Sequence, residues 1–352
     1  MTFRGSKRWE SAALRLSELV PKGSLHPAVV AWADARPRGE PWAVALSGGS
    51  DSVALLLLLW AHWPARRARL VALHFNHRLR GAESAADARF CASLCASLRI
   101  PLVSGRWGAP PRQRGESAAR AARFGFFVPA MRERRASVLW LGHQQDDIAE
   151  SILMRLSRGS GLAGLAAPRP IHLFAAERRG GRGLTHVRPL LSLKKREISG
   201  ALRGAGVPWR EDSSNAGGAH FRNRVRRDVI PRWVRASQRD ALAGAALSRE
   251  LLEEDSLALD AWLDSLDPVG ADGSLNVAGL RGRPRALVRR GLHRWLLLQR
   301  DAGDYSRQAF DTLLHAVELG LPFRHSLGSH GFAVIRAGRL RFETARKPLT
   351  SH

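Results

Sequence analysis

The sequence lacks the marks of a membrane or secreted protein. It contains only two cysteines, Cys91 and Cys95, and their spacing in a helical pattern is typical of buried packing residues rather than of a disulfide or a metal pair. Its most apolar run, residues 53–63, is interrupted by His62 and is shorter than the roughly 20 residues that a bilayer crossing needs. The basic N-terminus has no apolar core followed by a cleavage site of small residues. We therefore expect a cytoplasmic protein with no membrane partner.

Acidic residues and lysine are also scarce. The 352 residues include 31 aspartates and glutamates against 56 lysines and arginines, a formal net charge of +25, and only five of the basic residues are lysine. Apolar residues make up 45% and charged residues 25%, which is the composition of a globular protein. A surface this cationic indicates a phosphate-rich partner. A membrane-surface protein is the alternative, but it would need an amphipathic anchor.

Short apolar runs alternate with helical segments from Pro41 onward. The runs at residues 43–46, 70–75, 100–103 and 138–141 predict strands. Helices of about 10–15 residues between them indicate βαβ units and a parallel sheet. The sequence therefore predicts the α/β class. In such a sheet ligands bind at the carboxyl ends of the strands, so we expect the loops there to carry the chemistry.

Charge and composition divide the chain further. A long amphipathic stretch becomes acidic at residues 250–255, and this change of sign marks the boundary between a main domain and a smaller one. Beyond it, helical segments and an apparent hairpin at residues 332–342 predict a small α/β module. The predicted segments are an N-terminal leader at 1–40, a main domain at 41–232, a helical linker at 233–270, a small C-terminal domain at 271–346 and a tail at 347–352.

The sharpest motif follows the first predicted strand directly and comprises Ser47, Gly48, Gly49, Ser50, Asp51 and Ser52. Its two glycines let backbone N–H groups approach an anion, and the following helix adds the partial positive charge of its N-terminus. The serine hydroxyls would donate to phosphate oxygens, whereas the aspartate would need a Mg²⁺ ion between itself and a phosphate. The motif lacks the Gly-Lys-Ser/Thr of a Walker A loop. The alternative is a turn that only caps the helix.

Three polar side chains follow the strand predicted at residues 138–141. His143 and Asp147 are four residues apart, and Glu150 follows three residues later, so all three share one helix face. Near a triphosphate, such carboxylates can hold Mg²⁺ and bind or deprotonate an incoming amine. Ordinary helix capping by acidic residues is the alternative.

Basic side chains mark three further places. His74 lies at the end of the second predicted strand, where it would contact a nucleotide. Arg120 and Arg123 share a helix face that would either bind phosphate or cover the sheet. The basic run at residues 221–227 suits phosphate contacts and hydrogen bonds to base edges, although a charge run is more often a solvated face. Its candidate nucleic-acid contacts are Arg222, Asn223, Arg224 and Arg226.

Together these motifs resemble a known family. The Ser-Gly-Gly-x-Asp-Ser loop looks like that of the N-type ATP pyrophosphatases, which cleave ATP to AMP and pyrophosphate while adenylating a substrate. The wider set is similar to bacterial tRNA(Ile)-lysidine synthetase over roughly residues 40–235. The segments that carry this similarity are 47–52, 74–84, 116–124, 142–165, 188–191 and 211–226.

The resemblance implies a parallel-sheet, adenine nucleotide α-hydrolase-like (Rossmann-like) fold and a ligase that forms a C–N bond. ATP, with Mg²⁺, adenylates the wobble cytidine of the CAU anticodon of tRNA(Ile), and free L-lysine then displaces AMP to give lysidine. The small C-terminal domain is compatible with the tRNA-contacting domain of the shorter family members. No motif encodes the oligomeric state, so a homodimer is one open alternative.

The resemblance assigns ATP to the serine- and glycine-rich loop. Residues 47–52 would hold the phosphates, His74 would be a further nucleotide contact, and Asp51 and Asp147 would hold Mg²⁺. Arg120 would neutralise the charge that develops at the α-phosphate.

The resemblance also assigns lysine and tRNA. Asp147 and Glu150 would receive the lysine ammonium, which leaves open which carboxylate binds lysine and which binds metal. Since only the neutral amine is nucleophilic, His143 or a carboxylate would accept its proton. The residues implied to bind tRNA are Arg222, Asn223, Arg224 and Arg226.

The sequence departs from the family pattern at three places. Phe124 stands where a tyrosine is usual, residues 217–220 replace a more acidic link, and the Gly- and Arg-rich segment 177–183 has no clear counterpart. A tRNA thiolase of the same superfamily is the nearest rival, but such enzymes use catalytic cysteines, which Cys91 and Cys95 do not resemble. A non-catalytic RNA-binding protein with a degenerate loop is the other alternative.

Overall fold

A sheet of six short strands organises the first part of the chain in the computed structural model. The strands are β1 Trp42–Ala45, β2 Leu70–Asn76, β3 Leu102–Arg106, β4 Val138–Trp140, β5 Ile171–Phe174 and β6 Leu184–Val187. Their order is β3-β2-β1-β4-β6-β5, and every neighbouring pair is parallel except β5 and β6 at the edge, which are antiparallel. The predicted α/β class with a parallel sheet is therefore confirmed.

The chain forms two units, residues 1–252 and 253–352. The structure describes residues 5–78, 81–108, 116–174, 183–211, 221–299, 306–327 and 331–344. Most of the Gly- and Arg-rich segment, the link at 217–220 and the tail at 347–352 lie outside these residues. The finer boundaries drawn from the sequence at residues 40, 232, 270 and 346 stay predictions.

The helices of the first unit flank the sheet and connect its strands. They are α1 Ser6–Leu19, α2 Pro27–Ala35, α3 Ser50–His62, α4 Ala82–Ser97, α5 Glu116–Glu133, α6 Gln145–Leu156, α7 Leu162–Leu165, α8 Lys195–Gly204, α9 Phe221–Arg224, α10 Ile230–Ser237 and α11 Ala241–Ser265. A π-helical turn, Val225–Val229, joins α9 to α10, and α11 continues into the second unit. Among the described residues, no helix combines the length and the apolar character that a bilayer crossing requires.

The helix after the first strand lies at the centre of the first unit. Residues 53–60 of α3 are all buried, as expected for a helix that is apolar on every side. One side packs on Trp42 and Val44 of the sheet, and Trp9 and Leu16 of α1 belong to the same buried cluster. Part of the predicted leader is thus a 14-residue helix in the main core.

The sheet buries its other face against α5. Successive residues of a strand point to opposite faces, so Ala43, between two residues that pack on α3, belongs to a cluster with Phe127 and Met131 of α5. Both faces are therefore apolar and covered, which explains why the strands read as continuous apolar runs. Strands β5 and β6 were not predicted, because each has only four residues and contains a histidine, His172 or His186.

The second unit has its own sheet and core. Its elements are β7 Leu275–Asn276, α12 Val277–Leu280, α13 Arg285–Leu298, α14 Arg307–Leu319, β8 Phe323–Ser326, β9 Gly331–Arg336 and β10 Arg339–Thr344. The strands are antiparallel in the order β7-β10-β9-β8 and pack on a cluster centred on the buried Trp295. The predicted hairpin is confirmed: Ala337 and Gly338 turn between β9 and β10, both with positive φ, as a tight hairpin turn requires.

The chain just after β4 passes close to the backbone at the start of α3. A Cβ atom on Gly142 would lie 2.9 Å from the carbonyl oxygen of Asp51 and 3.2 Å from the amide nitrogen of Ser52. Only a residue without a side chain fits there, because both neighbours are backbone atoms that cannot move independently of the helix.

We expect Gly142→Ala to destabilise the protein by about 1–3 kcal/mol, the usual cost of forcing a methyl group into a packed region. The matched control is Gly125→Ala, since Gly125 lies exposed inside α5 with open space around its Cβ position, and alanine favours a helix. Thermal and urea unfolding of both variants measure the difference. Equal stability of Gly142→Ala and the parent protein would contradict this account of the contact.

Candidate active site

The loops that follow β1, β2 and β4 meet at one edge of the sheet around a cavity of about 440 Å³. The serine- and glycine-rich loop at 47–52, His74 and His143 all line it, together with Arg123 of α5 and Arg210. The sequence predicts that these loops meet at the carboxyl ends of the strands, and the structure confirms it.

The turn of the loop at 47–52 is held by one buried hydroxyl. Ser52 Oγ accepts hydrogen bonds from the N–H groups of Ser47 (3.1 Å) and Gly48 (3.2 Å) and donates to the carbonyl oxygen of Gly49 (3.0 Å). Gly48 has a φ of +93°, and a Cβ atom on it would meet Cys91 Sγ at 3.3 Å. The second position of the motif therefore needs glycine for both its conformation and its neighbours.

Asp51 is a mostly buried carboxylate at the start of α3. It accepts a hydrogen bond from Ser50 Oγ (3.2 Å), and Lys195 Nζ lies 4.0 Å from its Oδ2. Burial is the main cause that raises the pKa of Asp51 to about 6, with the charge of Asp147 adding to it and Lys195 opposing it. A cation at this carboxylate would offset that cost.

The donor set at Asp51 fits a magnesium ion that arrives with a nucleotide. Among the described residues, no three histidine, cysteine, aspartate or glutamate side chains converge as a metal cage. Mg²⁺ usually takes one or two carboxylates and completes its shell with phosphate oxygens and water, and Asp51, within the serine- and glycine-rich loop, offers one such carboxylate.

The carboxylates of α6 are paired with arginines from the basic run. Glu150 is fully buried; Arg222 Nε donates to its Oε2 (2.7 Å), and Arg226 donates to both of its oxygens. Arg222 Nη2 also donates to Asp147 Oδ1 (2.6 Å), while Asp147 Oδ2 accepts from the N–H of Gln144 (3.0 Å). The carboxylates predicted to bind lysine and the arginines predicted to bind tRNA thus bind each other in the free protein.

The other two candidate tRNA contacts, Asn223 and Arg224, lie on α9 with Arg222. Arg224 sits 5.8 Å from the ring centroid of Phe221, and Asn223 is its direct neighbour in α9. The two assignments that sequence reasoning made for this region, carboxylates for lysine and arginines for tRNA, both stay predictions.

His143 lies just before α6, so the prediction that it shares a helix face with Asp147 and Glu150 is wrong: the helix begins only after its cap, Gln144. Arg188, to which the sequence analysis assigned no role, holds His143 in one protonation state. Arg188, just after β6, donates from Nε to His143 Nδ1 (3.1 Å) and from Nη1 to the carbonyl oxygen of Arg169 (2.7 Å). Burial, and then the charges of Arg188 and three further arginines, hold the pKa of His143 well below its usual value. The ring is therefore neutral, and with Nδ1 accepting, its proton is on Nε2.

The remaining predicted cation lies on α5. Arg120 stands 5.0 Å from the ring centroid of Phe124, the residue that replaces the family's tyrosine, and its charge helps to lower the pKa of both His143 and Arg188. Arg123, three residues later on α5, is among the residues that line the cavity, and Arg120 is not.

Two further basic residues near the loop at 47–52, Arg210 and Lys195, were not identified from the sequence. Arg210 donates its N–H to the carbonyl oxygen of Gly48 (2.8 Å) and its Nε to Asp87 Oδ1 (2.8 Å), so it ties the loop to α4. Lys195 starts α8 and reaches Asp51. No local sequence pattern around either residue indicates its partner, because Gly48, Asp87 and Asp51 are all distant from it in sequence.

Both cysteines are buried, as predicted, and neither forms a disulfide. Burial raises the pKa of Cys95 to about 12 and that of Cys91 further, with the Cys95 and Asp87 charges adding to the shift at Cys91. They are thiols at neutral pH and therefore poor nucleophiles.

Comparison with known proteins gives a family and a fold. The PP-loop domain model matches residues 29–233. The tRNA(Ile)-lysidine synthase of Geobacter sulfurreducens is 35% identical over 289 residues, 78% of this chain and 58% of that protein. That of Hyphomonas neptunium is 37% identical over 266 residues, 75% of this chain and 69% of that protein. A solved U34-tRNA thiolase from Methanococcus maripaludis with its 4Fe–4S cluster has a TM-score of 0.50 at 16% identity, covering 69% of this chain and 78% of that one.

These matches define a PP-loop protein, and a PP-loop match supports the use of ATP. The chain belongs to the tRNA(Ile)-lysidine synthase family, which confirms the resemblance drawn from its motifs. It spans 58% of the length of the Geobacter protein. The likeness to the thiolase concerns the fold alone.

We expect Asp51→Asn to raise the stability of the ligand-free protein at pH 7.5. The folded pKa, about 6 against an ordinary 3.8, means that folding is penalised once this carboxyl ionises, so stability falls as pH rises from about 4 to 6 and stays low above. The variant removes that penalty. Its melting temperature should exceed that of the parent by several degrees at pH 7.5 and by less at pH 5.

The control for this stability measurement is Asp255→Asn, an exposed carboxylate on α11, which should leave the melting temperature unchanged at both pH values. A melting temperature of Asp51→Asn equal to or below that of the parent at pH 7.5 would show that the carboxylate is not destabilising in the free protein.

Proposed function

We propose that this chain is a tRNA(Ile)-lysidine synthetase, which uses ATP to join free L-lysine to the wobble cytidine of the CAU anticodon of tRNA(Ile). One observation carries the proposal: in a chain of this family, the loop at 47–52 and His143 line one cavity, and the paired carboxylates Asp147 and Glu150 lie on α6, the helix that begins two residues after His143. The site thus combines a phosphate-binding element with anionic groups suited to an amine substrate.

The first step would activate the base. The O2 atom of the cytidine attacks the α-phosphorus of ATP, the bond from that phosphorus to the bridging oxygen breaks, and pyrophosphate leaves. Backbone N–H groups of the loop at 47–52 and the N-terminus of α3 would stabilise the phosphates. Arg120 and Arg123, both on α5, would stabilise the charge that develops at the α-phosphate.

Magnesium would be held by Asp51 with the phosphates of ATP, and Asp147 is the second predicted ligand. When bound, the ion would neutralise phosphate charge and so favour departure of pyrophosphate. Asp51 supports this part of the proposal best, because Asp147 already carries hydrogen bonds on both of its oxygens.

The second step would form the C–N bond. The ε-amine of lysine attacks C2 of the adenylated base, the bond from C2 to the oxygen that carries the adenylate breaks, AMP leaves, and the amine loses a proton. An ammonium bound at Asp147 and Glu150 would compete with Arg222 and Arg226, which occupy these carboxylates in the free protein. Either arginine could bind a tRNA phosphate in place of its carboxylate partner.

A carboxylate is the better candidate to accept the amine proton. His143 accepts from Arg188 at Nδ1 and carries its own proton at Nε2, so in this arrangement it donates rather than accepts. We therefore assign proton removal to Asp147 or Glu150, and to His143 a hydrogen bond toward an acceptor on the substrate.

The tRNA would be bound by positive charge. Arg222, Asn223, Arg224 and Arg226 are the proposed contacts near the anticodon, and the small C-terminal domain is the proposed second contact. The formal charge of +25 supports a polyanionic partner. ATP, free lysine and tRNA are all available in the cytoplasm, where we place the reaction.

The proposal predicts a direct assay. With ATP, Mg²⁺, labelled L-lysine and a CAU-anticodon tRNA(Ile) transcript, we expect stable label at the wobble cytidine and one pyrophosphate released for each lysine incorporated. Asp51→Ala should abolish both, because the phosphate site loses its metal-binding carboxylate. Nuclease digestion with mass spectrometry locates the modified nucleoside.

Two results would change the proposal. Pyrophosphate release without lysine transfer would keep the adenylation step and indicate a different nucleophile. Absence of both, in a folded protein that still binds the tRNA, would overturn the enzyme assignment in favour of a non-catalytic RNA-binding protein.

Lys195 is a further residue that we propose for the phosphates of ATP. Its N–H donates to Asp146 Oδ2 (2.9 Å), and the N–H of Gln145 donates to the carbonyl oxygen of Leu193 (2.8 Å), so the start of α8 is fixed to the start of α6. From there the Lys195 ammonium lies beside Asp51, where the phosphates would bind. A lysine there would act as a point charge on the pyrophosphate.

We expect Lys195→Met to slow pyrophosphate release by about ten- to a hundredfold and to raise the KM for ATP, as the loss of a charged hydrogen bond predicts. Lys194→Met is the matched control, because the Lys194 ammonium pairs with Asp240 instead; its rate should stay within about twofold. Steady-state kinetics with both variants test the assignment, and equal effects of the two substitutions would refute it.

A further inference from the structure

His74 is a buried side chain with one ring nitrogen bonded and the other facing no partner. It is 3% exposed and lines the cavity at the end of β2. Its Nδ1 lies 2.9 Å from the carbonyl oxygen of Leu46. Its Nε2 is buried and has no hydrogen-bond partner among the described residues.

The hydrogen bond to Leu46 determines which ring nitrogen of His74 carries the proton. A carbonyl oxygen only accepts, so Nδ1 carries a proton and donates to Leu46. Burial is the main cause that lowers the pKa of His74, outweighing the Leu46 bond and the charge of Asp87, so the ring is neutral near pH 7. A neutral ring with its proton on Nδ1 has only a lone pair at Nε2.

A hydrogen-bond acceptor on a residue that lines the proposed nucleotide site would select part of the nucleotide. Phosphate oxygens at neutral pH are acceptors, and two acceptors cannot pair. The hydrogen-bond donors that ATP offers near pH 7 are the 6-amino group of adenine and the hydroxyl groups of ribose. His74 therefore cannot serve the phosphates in this state, although it lies one strand away from the loop at 47–52.

We propose that Nε2 of His74 accepts a hydrogen bond from the nucleoside half of ATP, from either the 6-amino group or a ribose hydroxyl. This inference rests on the proposed use of ATP in this cavity. The apolar residues around His74 support it, because Phe75 and Phe127 line the same cavity and suit a base or sugar better than a phosphate. His74 then contributes to nucleotide selectivity, since a ligand without the matching donor would leave a buried acceptor unpaired.

The test pairs ligand changes with protein changes. Dissociation constants of the full chain, without tRNA, are measured by calorimetry for ATP, purine riboside triphosphate (which has no 6-amino group), 2′-deoxy-ATP and 3′-deoxy-ATP. We expect one analogue to bind the parent protein about 10- to 100-fold more weakly than ATP. In His74→Phe, ATP should bind as weakly as that analogue, and the penalty for removing the donor should vanish.

The matched control is His62→Phe. His62 also has a ring nitrogen 2.9 Å from a backbone carbonyl oxygen, that of Val20, but it does not line the cavity, so the preference for ATP over each analogue should be unchanged. His74→Gln, which keeps an acceptor oxygen, should retain part of the preference, and it serves as the test variant if His74→Phe does not fold.

The outcomes separate this inference from the function on which it rests. If ATP binds and lysine is transferred, but every analogue binds the parent protein like ATP or the penalty persists in His74→Phe, the role of His74 is refuted and the proposed function stands. If ATP does not bind the parent protein, the proposed function fails and this inference fails with it.

Discussion

The site depends on how the buried charge of Glu150 is held. An ionised carboxylate without access to water is tolerated only where it is paired and hydrogen-bonded, and Arg222 and Arg226 meet that requirement with three hydrogen bonds. Removing one partner of a buried pair usually costs about 3–5 kcal/mol. This pairing therefore holds α9, which contains Arg222, and the π-helical turn with Arg226 against α6. Through α6 it also fixes the position of Asp147.

Helix α6 also connects the other elements that carry candidate site residues. The start of α6 also anchors α8, because Asp146 accepts from the N–H of Lys195, and α8 brings a cation to Asp51 at the start of α3. Gly142 lets the strand before α6 approach the start of α3. The serine- and glycine-rich loop, a cation and two carboxylates thus belong to one connected framework, which would suit the proposed reaction, because both of its steps use one site.

The sequence predicted the parts of this framework that depend on local pattern. Strands β1 to β4 follow from short apolar runs, and the loops after β1, β2 and β4 lie at one sheet edge because parallel strands end there together. The pairing of Glu150 with Arg222, 72 residues away, does not follow, since four arginines in a short run look the same whether they face solvent, nucleic acid or a buried carboxylate. Arg188 and Lys195 were missed for the same reason: each acts on a residue brought near it only by the fold.

Two histidines show what the fold adds to residue identity. His74 lies near the end of β2 and His143 follows β4, both line the cavity, and in sequence they are equivalent candidates for a nucleotide or a proton. Their partners give the two rings opposite hydrogen-bonding roles. The carbonyl oxygen of Leu46 leaves His74 with an acceptor at Nε2, whereas the guanidinium of Arg188 leaves His143 with a donor at Nε2. Because burial keeps both rings neutral, these polarities hold near pH 7. One wall of the cavity would thus suit the N–H or O–H groups of a nucleoside, and another the oxygens of a phosphate or a base carbonyl, as the proposed transfer of an adenylate to a cytidine oxygen would need.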